Sequence, residues 1–225
     1  MDSRKRVMTL VLSVLFIDMV CQMMAYPSIP SLLIQLGARD ATQATIIYGS
    51  LFSSYAAADL LGSPTLGILS DHFGRRKVLI CSAFSSSLCF LISATAQNLT
   101  LMFTGYVLAG LTSAMMVVIN ASIADVTPPE DRPAAFGYLG AVFGVGFVLG
   151  PAIGGLLEPL GPRAPFWIST VVMAIASIAL VVAFPEPLAP ENRKKEWEWQ
   201  RLVPWNALRA LNRNPLIARL KWTIL

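Results

Sequence analysis

Polar and apolar positions along this chain do not alternate at a short period. They fall into long apolar runs separated by brief polar breaks. Six runs stand out, Val7 to Met24, Ile46 to Leu69, Val78 to Ala96, Leu99 to Ala124, Phe136 to Leu157 and Phe166 to Phe184. Each is long enough for a helix to cross a hydrocarbon core about 30 Å thick. Inside lipid every backbone N–H and C=O has to be bonded internally, so runs of this length predict spanning helices. A seventh apolar run begins at Leu216 and stops at Leu225, which reads as the start of a further helix cut short.

Composition agrees with this pattern. Of 225 residues 55% are hydrophobic and 13% charged, against about 25% charged in ordinary soluble domains, and the mean hydropathy is +0.63. The fold class expected is an all-α membrane protein, a six-helix bundle over residues 1–185. A basic, amphipathic linker over 186–215 and the beginning of a seventh helix over 216–225 follow it. The first run follows Arg4-Lys5-Arg6, as a signal peptide would, but it is longer than a signal core and lacks a small-residue cleavage site, so it reads as a retained helix.

Charge then orients the bundle. With the N-terminus in the cytoplasm, inner segments hold Arg4, Lys5, Arg6, Arg75, Arg76, Lys77, Arg132 and the bases from Arg193 to Lys221, while outer loops keep Arg39 and Arg163. Cytoplasmic loops retain Lys and Arg, so a multi-pass protein of a plasma, inner or organelle membrane is expected, N-terminus inside. The net charge of +4 is a matter of topology and calls for no nucleic acid. Cys21, Cys81 and Cys89 lie in apolar runs and suggest neither a disulfide framework nor a metal site. No nucleophile triad, zinc spacing or phosphate loop is present, so neither an enzyme nor a cofactor is expected.

The chain also repeats at an offset of 87 residues. Pro64 and Gly67 return as Pro151 and Gly154, Leu69 as Leu156, Asp71 as Glu158, Gly74 as Gly161 and Arg76 as Arg163. Each unit holds three spans, and an odd number inverts the second copy, which gives the inverted-topology repeat of secondary transporters.

Two acids fall inside spans, Asp18 and Asp59. A carboxylate at depth costs at least about 2.5 kcal/mol on insertion scales and so faces a cavity or a polar partner. Asp18 is either a proton-coupling or substrate-contacting acid or a hydrogen-bonded structural one. Asp59 is either a cavity contact or a helix-packing hydrogen-bonder. Gln22 lies one turn beyond Asp18 and Tyr55 one turn before Asp59, where both can share the lining. Asn120 either joins them or bonds between helices.

The segment "GILSDHFGRRK" interrupts the second and third runs with Gly67, Asp71, Gly74, Arg75, Arg76 and Lys77. A carboxylate facing guanidinium groups across a short turn can form charge-assisted bonds in one conformation and break them in another; the plainer reading is a topology anchor with a turn glycine. At these residues the sequence resembles the major facilitator superfamily, with His72 where many members have Arg. The stretch "GFVLGPAIGG", with Gly146, Gly150, Pro151, Gly154 and Gly155 on the fifth span, resembles the motif of drug/proton antiporters in that superfamily. Asp18 before Pro27 and Pro30, together with "SIADVTPPEDRPAAFGYLGAVFGVGFVLGP", is similar to the tetracycline-resistance type, over about residues 7 to 185. The resemblance implies a secondary exporter of tetracycline-like or other small organic molecules, exchanging them for protons by alternating access. Its implied partners are the bilayer, a small-molecule substrate, protons and a C-terminal six-helix half. One departure bears on coupling. Tyr106 stands where the family's fourth helix commonly has arginine, leaving no Lys or Arg inside the six spans. The alternatives are a truncated or half-size non-transporting protein with a scaffold or regulatory role, and a proton-independent uniporter.

Lesser features read as plain. The sequon at Asn98 lies against the membrane, the Met pairs Met23-Met24 and Met115-Met116 are packing residues, and Trp197, Trp199 and Trp205 among bases suggest an interfacial segment rather than a calmodulin target.

Overall fold

A computed structural model describes residues 3–194. The basic linker beyond Lys194, with Trp197, Trp199 and Trp205, and the seventh apolar run lie outside the described residues. Among the described residues all regular structure is helical. The α-helices are α1 (Ser3–Ala25), α2 (Ile29–Gln35), α3 (Ala41–Phe73), α4 (Arg75–Thr95), α5 (Leu99–Leu111), α6 (Met115–Val126), α7 (Arg132–Leu157) and α8 (Ala164–Ala183).

The six predicted runs reappear as six rods, several longer than their apolar cores. The first rod continues past α1 through a 3₁₀ turn, Tyr26–Ser28, into α2. Pro27 and Pro30 sit in the first positions of that turn and of α2, where a missing N–H costs nothing. Asp40 starts α3 by accepting a hydrogen bond from the Gln43 amide at 2.7 Å, and Asn98 starts α5 by accepting one from the Leu101 amide at 2.8 Å. Side-chain caps of this kind are worth about 1 kcal/mol each. Five rods are long and apolar enough to cross a membrane. The second, α3, is the most polar of the six, because Ser50, Ser53, Ser54, Asp59 and Ser63 interrupt its apolar positions. Ser50 and Ser53 return their hydroxyls to the carbonyls four residues earlier.

The fourth run differs from expectation. It is a broken rod, α5 and α6, with the helix interrupted at Thr112–Ala114. Its sequence is apolar on both sides of the break, and the pattern gives no warning of it.

Packing follows the predicted repeat. α1 packs on α7 and α3 packs on α5, while α4 packs on α8. In the second unit α7 corresponds to α3, α8 to α4, and the α5–α6 rod to α1, so each pairing maps onto its repeat equivalent or onto itself. Two details show the symmetry at atomic level. Gly74 and Gly161 hold the same conformation, φ 101° with ψ 152° and φ 95° with ψ 162°. Arg76 donates to the Val181 carbonyl at 2.7 Å, and Arg163 donates to the Ala94 and Ala96 carbonyls, each at 2.7 Å. Arg163 and Val181 stand 87 residues after Arg76 and Ala94. The leading arginine of each helix therefore covers the exposed C-terminal carbonyls of the other, which satisfies orphan acceptors and complements both helix dipoles.

The interior consists of two apolar clusters. One includes Val11, Leu15, Val118, Ile119, Ile123, Met173 and Leu180; the other includes Ile29, Leu32, Leu33, Leu51, Met102 and Phe166. Three glycines bring α7 onto α1. A Cβ at Gly146, Gly150 or Gly154 would run into Met19, Met23 or Met24 respectively. Gly155 has open space around it and takes no part in this contact. Pro151 lies within α7, and the helix runs on through it.

Candidate functional site

A cavity of about 100 Å³ opens among α1, α3, α4, the α5–α6 break and α8. Members of both apolar clusters border it, Ala114 and Met115 from the first, Ala25 and Phe166 from the second. Its polar lining includes Asp18, Gln22, Tyr26, Tyr55, Ser82 and Ser113. Among the described residues no Lys or Arg lines it.

Asp18 sits on α1 one turn before Gln22, so the two side chains meet on one face. Gln22 Nε2 donates to Asp18 Oδ2 at 2.6 Å, and Tyr26 donates its hydroxyl to Gln22 Oε1 at 3.3 Å. Asp18 is only 4% exposed, and its second oxygen, Oδ1, has no hydrogen-bond partner among the described residues. A buried acceptor left unmatched costs about 1–3 kcal/mol. An aromatic group flanks the site: Phe52 meets Tyr26 edge-on with ring centres 5.1 Å apart, Tyr48 at 5.0 Å and Tyr106 at 6.4 Å.

The other candidates divide. Tyr55 lines the cavity and donates to Ser113 Oγ at 3.2 Å. Tyr106 lines it as well, in the place where the resemblance leads one to expect arginine. Asp59 is not among the lining residues; its Oδ1 lies 2.8 Å from Ser63 Oγ, beside the break. Asn120 donates to the Met116 carbonyl of its own helix at 2.9 Å and does not reach the lining.

The GILSDHFGRRK segment builds a second site at the basic end of the bundle. α3 ends at Phe73, Gly74 turns the chain with positive φ, and α4 starts at Arg75. Arg75, 7% exposed, is the hub. Its guanidinium meets Asp71 at 2.5 Å, Asp125 of α6 at 3.0 Å and the Ser70 hydroxyl at 2.6 Å. The planar, rigid fork of arginine spreads its donors toward acceptors on two helices, a geometry that the compact ammonium of lysine does not reproduce. Arg76 points elsewhere, to α8. Glu186, just past α8, accepts hydrogen bonds from the α4 amides of Arg75 at 2.8 Å and Arg76 at 3.4 Å. It thereby places a carboxylate on a helix N-terminus, where negative charge is stabilised.

Sequence reasoning missed Asp125, Glu186, Ser63, Ser82 and Ser113. Asp125 lies in the quoted "SIADV" and Glu186 between two prolines, so their presence was visible; their partners were not. The local sequence at the break, Gly110-Leu111-Thr112-Ser113, is a weak signal within an apolar run.

Comparisons with known proteins place this geometry. The chain is 39% identical over 162 residues to the tetracycline resistance protein, class C, of Escherichia coli, an alignment covering 72% of the chain and 40% of that protein. It is 28% identical over 193 residues to multidrug resistance protein 2 of Bacillus subtilis, covering 85% of the chain and 47% of that protein. The alignments thus cover less than half the length of these relatives. The crystal structure of the human organic anion transporter MFSD10 superposes with a TM-score of 0.81 at 22% identity, covering 96% of this chain and 59% of that one. At that identity the likeness shows the fold alone. The family model described as Major Facilitator Superfamily matches residues 11–225, and the chain belongs to that superfamily of membrane transporters.

Proposed function

We propose that this chain forms a six-helix bundle of a secondary exporter, which moves small organic molecules of the tetracycline-like or multidrug kind in exchange for protons by alternating access. It works with a second six-helix bundle, and its N-terminus is cytoplasmic. The observation that carries the reading is Asp18: a buried carboxylate, held from one side by Gln22 with its other oxygen unmatched in a cavity. Burial in a low dielectric penalises the charged form of a carboxyl group, so such an acid either takes a proton or meets a donor on the substrate.

Among the described residues no Lys or Arg lines the cavity, which supports a proton as the partner of this carboxylate when no substrate is bound. The Arg75 hub suits the conformational part of the cycle. Asp71, Ser70 and Asp125 reach it from α3 and α6, so breaking these bonds frees two rods at the cytoplasmic end. The bonds are short, directional and easily exchanged for water, which fits a latch that has to open in every cycle.

The test is flux in everted membrane vesicles driven by a pH gradient. Asp18→Asn leaves the protein in the membrane and abolishes gradient-driven export; unchanged flux refutes the role of Asp18. Collapse of the gradient by a protonophore stops export by the wild type. Flux that ignores the protonophore would make the protein a uniporter.

A further inference from the structure

Beyond the cavity, the break at Thr112–Ala114 has a feature that transport by Asp18 does not explain. No glycine or proline occupies these three positions, although Gly110 precedes them and Thr112 Oγ1 donates back to the Leu108 carbonyl at 2.8 Å. Neighbouring helices supply further bonds. Ser82 of α4 donates its hydroxyl to the Thr112 carbonyl at 3.0 Å. Ser63 Oγ of α3 lies 2.8 Å from the Ser113 carbonyl and also 2.8 Å from Asp59 Oδ1. A serine hydroxyl carries one proton, so Ser63 cannot donate to both acceptors.

The proton count separates two arrangements. An ionised Asp59 is an acceptor only. It draws the Ser63 proton into a charge-assisted bond, roughly twice as strong as a neutral one, and Ser113 O loses that donor. A protonated Asp59 donates its O–H to Ser63 Oγ, Ser63 donates its own O–H to Ser113 O, and both bonds form together. We propose that Asp59, Ser63 and the Ser113 carbonyl form a proton-operated clasp on the break in the fourth rod: a proton on Asp59 closes it, and loss of that proton releases the Ser113 carbonyl.

The surroundings decide which part moves. At the crossing of α3 and α5 a side chain on Gly110 would run into the backbone of Tyr55 and Asp59, and one on Gly62 into the backbone of Leu111. α5 is pinned to α3 by this close contact, so the segment the clasp frees is α6. That segment supplies Met115 to the cavity wall and Asp125 to the Arg75 hub. The other titratable or charged groups on the elements around Asp59 can be named. Tyr55 shares α3, which also carries Tyr48, Asp71 and His72; α5 carries only Tyr106 and α6 only Asp125. α4 carries Arg75, Arg76, Lys77, Cys81 and Cys89, and Asp18 of α1 faces the cavity. Of these, Tyr55 is tied to Ser113, Asp125 to Arg75, and Asp18 to Gln22. The functional consequence, a proton signal passed to the cavity wall and the hub, rests on the transport reading above; the clasp itself does not.

Hydrogen–deuterium exchange of the full chain in lipid nanodiscs tests it through protection factors over residues 112–118, corrected for intrinsic exchange, as pH is varied. In the wild type, protection falls about tenfold as Asp59 ionises, the loss expected for one hydrogen bond. Asp59→Asn, whose carboxamide N–H₂ donates to Ser63 as the protonated acid does, keeps the segment protected at every pH. Ser63→Ala leaves it about tenfold less protected at every pH. A flat wild-type profile overturns the clasp, and so does a pH dependence that survives in either variant. Since Ser63→Ala keeps Asp59 in place, a failure of Asp59→Asn to fold leaves the Ser63 arm decisive. The readout needs no flux. Loss of the clasp signal with an intact Asp18 phenotype refutes this inference alone, and an unchanged Asp18→Asn flux with a titrating clasp refutes only the role of Asp18.

Discussion

Gly74→Ala and Gly161→Ala form a matched pair of perturbations, because the two glycines share one backbone conformation and differ in what surrounds them. Both have φ near 100° with ψ near 155°, a region open in practice only to glycine, where another residue costs about 1–3 kcal/mol. Gly161 has open space around the position of a Cβ, so alanine there meets only that backbone cost. At Gly74 the new methyl would also drive into the Glu186 carboxylate. The carboxylate has to leave the α4 amides of Arg75 and Arg76, which removes a cap worth about 0.5–2 kcal/mol. Gly161→Ala should therefore destabilise by about 1–3 kcal/mol and Gly74→Ala by about 1–2 kcal/mol more. Equilibrium unfolding in mixed micelles reads both. Repeating it in a Glu186→Ala background should shrink the difference between the two glycines toward zero, because the cap is already gone. Equal losses at the two positions with Glu186 intact would refute the idea that Glu186 caps α4; a harmless Gly161→Ala would refute the backbone argument itself.

Other expectations follow from the same contacts. Gly150→Val pushes α7 away from Met23 of α1 and should cost about 1–3 kcal/mol in overpacking, whereas Gly155→Val, on the open side, should leave stability unchanged in the same assay. Arg76→Ala and Arg163→Ala each uncover C-terminal carbonyls of the facing helix. Both should lower the unfolding free energy, Arg163→Ala by more because it releases two bonds, with about 1.5–3 kcal/mol at stake per charged bond before discounting for exposure. Asp125→Asn removes one of the two carboxylates at the Arg75 hub; transport assays should show altered turnover with substrate binding retained, and an unaltered rate would make the hub a packing feature only.

Much of the architecture is a property of the sequence alone. Long apolar runs have few alternatives in lipid, because the backbone has to satisfy itself, so six rods and their approximate ends follow from composition along the chain. The inverted repeat was legible too, since Gly74, Arg76 and their counterparts Gly161 and Arg163 recur at one offset and the structure gives them matching conformations and reciprocal bonds. Asp18 with Gln22 was legible because i, i+4 neighbours on a helix face the same way.

Contacts between distant segments were not. Glu186 reaches Arg75 across 111 residues and Asp125 reaches it across 50, and no local pattern encodes such a meeting. The break in the fourth rod is the clearest case. Gly110 and Thr112 are weak breakers there, and Ser82 and Ser63, on two other helices, supply hydrogen bonds to the carbonyls that an unbroken helix would have satisfied for itself. The sequence determined which segments become helices, since that is a contest between backbone and lipid within each segment. Only the tertiary structure decided where one of them opens and which side chains close around Asp18 and Arg75, since those outcomes depend on donors and acceptors supplied from elsewhere in the fold.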